Sequence, residues 1–199
     1  SQSAAVPDGW DDAVFNWLDP RVDPKTGWFI TGQQPANATQ GLGGGAHIWP
    51  LYEHLGYPFP HPRRVIDRIL EAQGPDGNFN NARIGSYQNL DALYGLKYMR
   101  SLAGDYRVEE IDAAVERHGR WLRDEFDAFM ARKPAAHWVL SVVGNMGLMN
   151  QLAPGLYPDS TGARWSDIFT DTELYQTAAV ETFEAPPFAG RRDPDDAYA

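Results

Sequence analysis

The chain of 199 residues contains no cysteine, which excludes disulfide bonds, thiolate metal sites and cysteine nucleophiles. It has no run of about 18 apolar residues, so the sequence predicts no membrane-spanning helix. Positive charge is scarce, because 17 lysines and arginines stand against 27 aspartates and glutamates, and the net charge is −10. Nucleic acids and anionic membranes bind basic surfaces, so we expect neither as a partner.

Apolar and aromatic residues, in contrast, are well supplied. Hydrophobic residues make up 43% of the chain and aromatic residues 13%. A chain of this length buries about 70% of its unfolded surface, which is enough for a core of its own. We expect a loose tail over 1–9, one helical domain over 10–184 and an acidic, proline-rich tail over 185–199.

Apolar residues recur at helical spacing along most of the chain, and no strand-like alternation of useful length occurs. This pattern predicts an all-α fold of antiparallel helical hairpins. The segment over 136–152 is apolar nearly all round, which is typical of a central helix. The predicted helices cover about 10–18, 40–55, 62–73, 86–103, 108–131, 136–152 and a short stretch over 165–175.

A glycine run interrupts the second of these helices. Gly43, Gly44 and Gly45 each weaken a helix by roughly 1 kcal/mol relative to alanine. Two interpretations stay open at this point. Either a helix from about Gln40 is approached closely by another backbone or a ligand, or the run is a loop and the helix begins near Ala46.

The segment from Val65 to Phe79 combines an apolar helix ending at Gln73 with a following Asp76-Gly77 turn and an aromatic residue. It resembles the Gln–Trp type repeat of the terpenoid cyclase and protein prenyltransferase superfamily. The resemblance implies an α/α toroid, in which inner helices surround a central cavity and outer helices enclose them. The glutamine would then hydrogen-bond the carbonyls at a helix end or the terminus of the next repeat.

The turn itself has a second copy, because residues 24–29 echo residues 75–79. The resemblance covers about residues 40–130, and the chain supplies fewer hairpins than a complete toroid contains. We therefore expect an arc completed by another copy of the chain or by a further chain segment, or else a smaller relative of the toroids.

No cofactor is predicted. The sequence contains no glycine-rich phosphate loop and no dinucleotide-binding fingerprint. His47 and His54 are seven residues apart, which is too far for one metal ion, and Glu53 points away from His54 on a helix. The zinc site of the protein prenyltransferases contains cysteine, so the resemblance does not extend to that activity.

The leading functional hypothesis follows from the toroid and its aromatic residues. Aromatic walls stabilise isoprenoid cations by cation–π attraction, and they also stack on sugars. The resemblance thus implies a cyclase-like or prenyltransferase-like enzyme that acts on an apolar substrate by acid catalysis. Asp91 or Asp76 would be the acid, near the mouth of the cavity. The wall would consist of Trp49, Tyr52, Tyr87, Tyr94 and Trp138.

A second hypothesis concerns carbohydrates. Asn80, Asn81, Tyr87 and Asn89 form a dense polar cluster before and within the first turn of the helix over 86–103. Together with His47, this set resembles that of the polysaccharide lyases built on α/α toroids, in which histidine or tyrosine moves the protons. A carbohydrate-active lyase or hydrolase would bind its glycan here.

The net charge disfavours acidic glycans unless the site itself is basic, and Arg83 and Lys97 are the cations nearest to the cluster. The same residue types also suit structural roles, since Asn, Asp and Ser are favoured in caps and turns and His47 can be a hydrogen-bonded structural histidine. His61 and His118 are expected at the surface. A third hypothesis is a non-catalytic helical-repeat module whose concave face binds a partner.

Overall fold

The computed structural model describes residues 8–32, 34–35 and 37–157, and these residues form an all-α fold. The predicted helix over 165–175 and the tail over 185–199 lie outside them. A 3₁₀ turn over Asp19–Arg21 and a small hairpin of β1 (Ile30–Thr31) and β2 (Gln34–Pro35) precede the second helix. The helices are α1 (Trp10–Leu18), α2 (Ala38–Leu55), α3 (Pro62–Glu71), α4 (Tyr87–Ala103), α5 (Val108–Ala131) and α6 (Ala136–Leu152).

The predicted all-α class is confirmed, and local chemistry accounts for the helix ends. Asn37 and Gln40 form a reciprocal capping box at the start of α2. Pro62 occupies the first turn of α3, where its missing N–H costs nothing. The Ser86 side chain accepts a hydrogen bond from the Gln88 backbone N–H and caps α4. No described helix is both long and apolar enough to cross a membrane.

Helices α2, α4 and α6 lie side by side and run in the same direction. Tyr94 Oη of α4 donates to Glu53 Oε2 of α2 at 2.7 Å, and one turn further Tyr98 Oη donates to the Tyr57 carbonyl at 2.8 Å. Between α4 and α6, Ser141 Oγ donates to the Ser86 carbonyl at 3.1 Å, and further along both helices Arg100 donates to the Leu152 carbonyl at 3.1 Å. In each pair the numbers of the contacting residues increase in the same direction along both helices, so the helices are parallel.

Helices α3 and α5 form a second parallel layer. Arg107 before α5 pairs with Asp67 of α3 at 2.8 Å. Beyond the end of α3, Gln73 Nε2 donates to the Ala114 carbonyl of α5 at 2.7 Å, and the Arg117 guanidinium donates to Gln73 Oε1. Each helix of this layer is joined by a loop to the next helix of the first layer, so the chain forms antiparallel helical hairpins.

The echo between residues 24–29 and 75–79 has a structural counterpart. Each turn closes on an isolated antiparallel bridge, Val22 with Phe29 and Gln73 with Phe79. Each also has a glycine with positive φ whose hydrogen faces a helix of the second layer. Gly27 lies against the backbone N–H of Val65, and Gly77 lies against the Arg117 carbonyl. The two turns therefore dock in the same way, because only glycine permits that approach.

Two expectations about burial are wrong. The central helix is α4 and not α6, because α4 contacts α2, α3, α5 and α6, whereas α6 leaves Trp138, Leu140 and Val143 about half exposed. His118 was expected at the surface but is fully buried between the rings of Phe79 and Trp121. Burial lowers the pKa of His118 to about 4, and its Nδ1 donates to the Gly77 carbonyl at 3.0 Å.

The glycine run lies inside α2, so the loop interpretation is wrong. The predicted close approach of another backbone is also not what the described residues show, because side chains approach Gly41 and Gly45 instead. A β-carbon at Gly41 would clash with the Trp28 ring, and one at Gly45 would clash with the Trp49 ring. At Gly43 and Gly44 nothing lies within 4 Å, so the surface of α2 is bare there.

This contrast predicts opposite effects of one substitution at two neighbouring positions. Gly44→Ala should raise the free energy of unfolding by roughly 0.5–1 kcal/mol, because alanine favours helix and meets no atom. Gly45→Ala should lower it by roughly 1–3 kcal/mol, because the buried Trp49 ring must shift. Urea denaturation of both variants checks the prediction. Equal effects would contradict the close approach of Trp49 to Gly45.

Candidate functional site

A buried carboxyl on α4 is the chemically most unusual group of the described residues. Asp91 is 7% exposed, and no described residue hydrogen-bonds or ion-pairs with its side chain. Burial raises its pKa from 3.8 to about 7, and the nearby positive charge of His47 lowers it in part. A carboxyl without a partner in a buried position is characteristic of a functional group. At neutral pH such a group exists in both protonation states.

His47 of α2 is exposed beside this carboxyl. Its Nδ1 lies 2.6 Å from the Gly43 carbonyl of the preceding turn. A carbonyl can only accept, so Nδ1 carries a hydrogen, and whenever the ring is neutral its lone pair is on Nε2. The bare surface at Gly43 and Gly44 lies one turn along the same helix. A ligand can therefore approach α2 next to an imidazole whose tautomer is fixed.

A groove runs along the loop that enters α4, and we call it the loop groove. Its larger part has a volume of about 740 Å³ and its smaller part about 390 Å³. Both parts share Asn81, Ala82, Arg83 and Trp138 in their walls, so they adjoin each other. The other groove residues that matter here are Tyr87, Gln88, Trp121, Glu125, Phe129 and Arg132.

Helical register places the loop groove next to the buried acid. Tyr87 lies four residues and Gln88 three residues before Asp91, so all three share one face of α4. Tyr87 is 39% exposed, and its ring meets the His137 ring edge-on at 4.5 Å between centroids. The first turns of α4 thus connect an open groove to a buried acid.

Of the three predicted asparagines, one lines the loop groove and two hold the loop in place by hydrogen bonds. Asn81 lines the groove and is exposed. Asn80 Nδ2 donates to Thr39 Oγ1 at 2.6 Å and also to Gln88, which ties the loop to α2 and α4. Asn89 is buried, and it accepts from the Phe79 N–H and donates to the Arg83 carbonyl. Asn89 therefore holds the loop in place and does not face the groove.

Four residues predicted at the site lie elsewhere. Asp76 is exposed and accepts hydrogen bonds from Asn78 within its own turn, which is the turn network described as the structural alternative. Trp49, Tyr52 and Tyr94 are at most 1% exposed and belong to the core. Their rings pack on one another and on neighbouring aromatic residues because α2 and α4 meet there. Of the predicted aromatic wall, only Tyr87 and Trp138 line the groove.

Sequence reasoning missed the contribution of α5 to the site. Trp121 and Arg132 reach the loop groove from α5 and its C-terminal end. Their spacing of eleven residues, three helical turns, was visible, but nothing in the sequence indicates which loop α5 would face. Within residues 8–157, no three His, Asp or Glu side chains converge in a way that could hold a metal ion.

The raised pKa of Asp91 predicts a specific dependence of stability on pH. Between pH 4 and 7 the folded chain binds the Asp91 proton more tightly than the unfolded chain, so this group's stabilisation is present at low pH and is lost as pH rises through 7. The loss is up to roughly 1.4 kcal/mol per pH unit. Asp91→Asn does not titrate, so its free energy of unfolding should rise relative to the parent from pH 4 to 7 and then stay constant.

Urea denaturation at several pH values between 4 and 8 measures this difference. Asp127→Asn is the matched control, because Asp127 is an exposed carboxylate on α5 and its loss should give no such trend. A difference between Asp91→Asn and the parent that is the same at pH 4 and pH 8 would contradict the burial of this acid.

Comparisons of the chain with protein-family models, with curated proteins and with solved structures gave no match. The likeness to the terpenoid cyclase and prenyltransferase superfamily therefore rests on the residues of the 65–79 segment, and closure into a toroid stays a prediction.

Proposed function

We propose that the chain is a carbohydrate-active enzyme, a lyase or hydrolase that cleaves a glycosidic bond beside α2 and α4. One observation carries this proposal. A buried carboxyl with a pKa near 7 shares a helix face with Tyr87 and Gln88, which line an aromatic and amide-rich groove. Groups poised near the working pH are the efficient proton donors of catalysis.

Asp91 is the general acid of the proposed reaction. Its protonated form donates a proton to the glycosidic oxygen while the bond between that oxygen and carbon breaks. Because burial disfavours the carboxylate, a substantial fraction of Asp91 keeps its proton at neutral pH. The alkaline limb of the activity profile should therefore reflect the ionisation of Asp91 in the free enzyme.

His47 is the complementary base. Its Nε2 accepts a proton in one of two ways, since the hydrogen on Nδ1 is engaged by the Gly43 carbonyl. In hydrolysis the proton comes from the water that attacks the anomeric carbon. In elimination it comes from a ring carbon, and an unsaturated sugar results. Mass spectrometry distinguishes the two products, because only hydrolysis adds water.

The loop groove supplies the binding surface. Trp138 is 47% exposed and Trp121 is half-buried in the same groove, so both can offer ring surface to a sugar. Asn81 and Gln88 add amide donors and acceptors that match sugar hydroxyls. This combination of stacking surface and orienting polar groups is the usual composition of a ligand cleft.

Acid-catalysed chemistry on an isoprenoid remains the second candidate, because the same Asp91 could protonate a double bond. That reaction needs an enclosing aromatic wall to stabilise the cation. Three of the five rings predicted for that wall are core residues of α2 and α4. The described part of the chain therefore supports the glycan more strongly.

The test is turnover by the full chain on a panel of neutral and acidic oligosaccharides, with isoprenoid alcohols and diphosphates alongside. We expect cleavage of an oligosaccharide, and a kcat about 10²–10⁴-fold lower in both Asp91→Asn and His47→Gln. Asp127→Asn removes a carboxylate from the surface of α5 and should keep full activity.

Each other result has a definite meaning. Turnover of an isoprenoid alone would replace the glycan with the second candidate. Binding of a ligand without turnover, unaffected by Asp91→Asn, would favour the non-catalytic repeat module. Folding of each variant is checked by its thermal transition, so that a loss of activity is not a loss of structure.

A further inference from the structure

The arginines of the described residues fall into two groups. Nearly all have an ion-pair, hydrogen-bond or aromatic partner within the chain. Two have no such partner among residues 8–32, 34–35 and 37–157, and they are Arg83 of the loop before α4 and Arg132 at the C-terminal end of α5. The arginines with partners are Arg21, Arg63, Arg64, Arg68, Arg100, Arg107, Arg117, Arg120 and Arg123.

These two arginines lie in the same place although they come from different elements. Both line the larger part of the loop groove, with Trp121 and Trp138 in the same wall. Glu125 is the carboxylate of that wall, so the charged residues lining this part of the groove sum to +1 in a chain whose net charge is −10. Such a local reversal of sign attracts anions to one spot.

Lys97 does not contribute to the positive charge of the loop groove. Sequence reasoning placed Arg83 and Lys97 together as the cations nearest to the site. In the structure Lys97 pairs with Glu53 at 3.1 Å between α4 and α2, and it does not line the groove. Arg132 takes the role expected of Lys97, because the C-terminal end of α5 faces the loop of Arg83.

We propose that the loop groove binds an acidic glycan, and that Arg83 and Arg132 hold its carboxylate or sulfate groups. The inference rests on the function proposed above and names its class of substrate. A guanidinium presents a planar set of donors that matches a carboxylate or a sulfate in bidentate fashion. Trp138, about half exposed between them and Tyr87, offers ring surface to the sugar that carries the anion.

The two adjoining parts of the groove, about 740 and 390 Å³ in volume, offer room for an oligomer. The two parts share Asn81, Arg83 and Trp138 in their walls, and the smaller part includes Tyr87 and Gln88, which precede Asp91 by about one helical turn. An acidic oligosaccharide anchored at the arginines would therefore extend towards the proposed acid. The anionic groups would then bind away from the bond that is cleaved.

Binding is measured by calorimetry on the full chain carrying Asp91→Asn, which cannot consume the ligand. The probes are oligomers of galacturonate and of hyaluronan, which carry carboxylates, oligomers of chondroitin sulfate, and carboxyl-reduced galacturonate as the neutral match. We expect an acidic probe to bind and carboxyl-reduced galacturonate to bind more weakly. Added salt should lower the affinity for the acidic probe.

Arginine variants then test the site. The double variant Arg83→Gln, Arg132→Gln should bind the acidic probe roughly tenfold or more weakly, because hydrogen bonds between charged partners are the strong ones. Arg120→Gln is the matched control, because it removes one charge from the same helix but its residue pairs with Glu116. Thermal transitions should hardly change, because the Arg83 and Arg132 side chains make no hydrogen bond or ion pair with a described residue that their loss could break.

The outcomes separate this inference from the proposed function. Binding to the sulfated probe alone assigns sulfate as the anion, and binding to the carboxylated probes assigns uronate. Failure of every acidic probe, or equal binding by the double variant, overturns the inference even if a neutral glycan is cleaved. An acidic glycan that binds through the arginines but is never cleaved by the parent chain overturns the proposed function and leaves the inference standing.

Discussion

The docking of the loop after α3 onto α5 holds the second layer and the candidate site together. Gln73 makes the contact with both ends of its amide, because Nε2 donates to the Gly77 and Ala114 carbonyls and Oε1 accepts from Arg117. Gly77 completes the contact by letting the loop backbone touch the Arg117 carbonyl. The loop that follows carries one wall of the groove and α5 carries another, so this one junction fixes the width of the groove.

Asp91 differs from Gln73, because its buried side chain has no hydrogen-bond partner among the described residues. A carboxyl in a buried position without a donor costs stability whenever it is charged, and a polar partner or an exposed position would remove the cost. The helix instead leaves it buried, next to an imidazole that is itself exposed. Such a loss of stability is typical of a group that must keep its proton at neutral pH and transfer it during a reaction.

The sequence was sufficient to predict the elements but only part of the site. Proline, glycine and serine mark the ends of α2, α3 and α4, and these signals are local, so the helix bounds were predicted closely. Burial depends on which helices become neighbours, which is why Trp49 and His118 were misplaced. Asp91 was identified as an acid, but its low exposure arises from packing between α2, α4 and α6. Arg132 could not be connected with Arg83, because 49 residues separate them and only the docking of α5 brings them to one groove.

The two buried titratable groups act on stability in opposite directions. The pKa of His118 is lowered by burial, so the unfolded chain binds that proton more tightly and the contribution of His118 is lost as pH falls from 6.5 to about 4. The pKa of Asp91 is raised, and its contribution is lost as pH rises from 3.8 to about 7. Over nearly the same range one group takes up a proton on unfolding and the other releases one. On unfolding, the proton released by Asp91 is therefore matched by the proton taken up at His118. The combined contribution of these two groups to the free energy of unfolding changes little with pH between about 4 and 6.5.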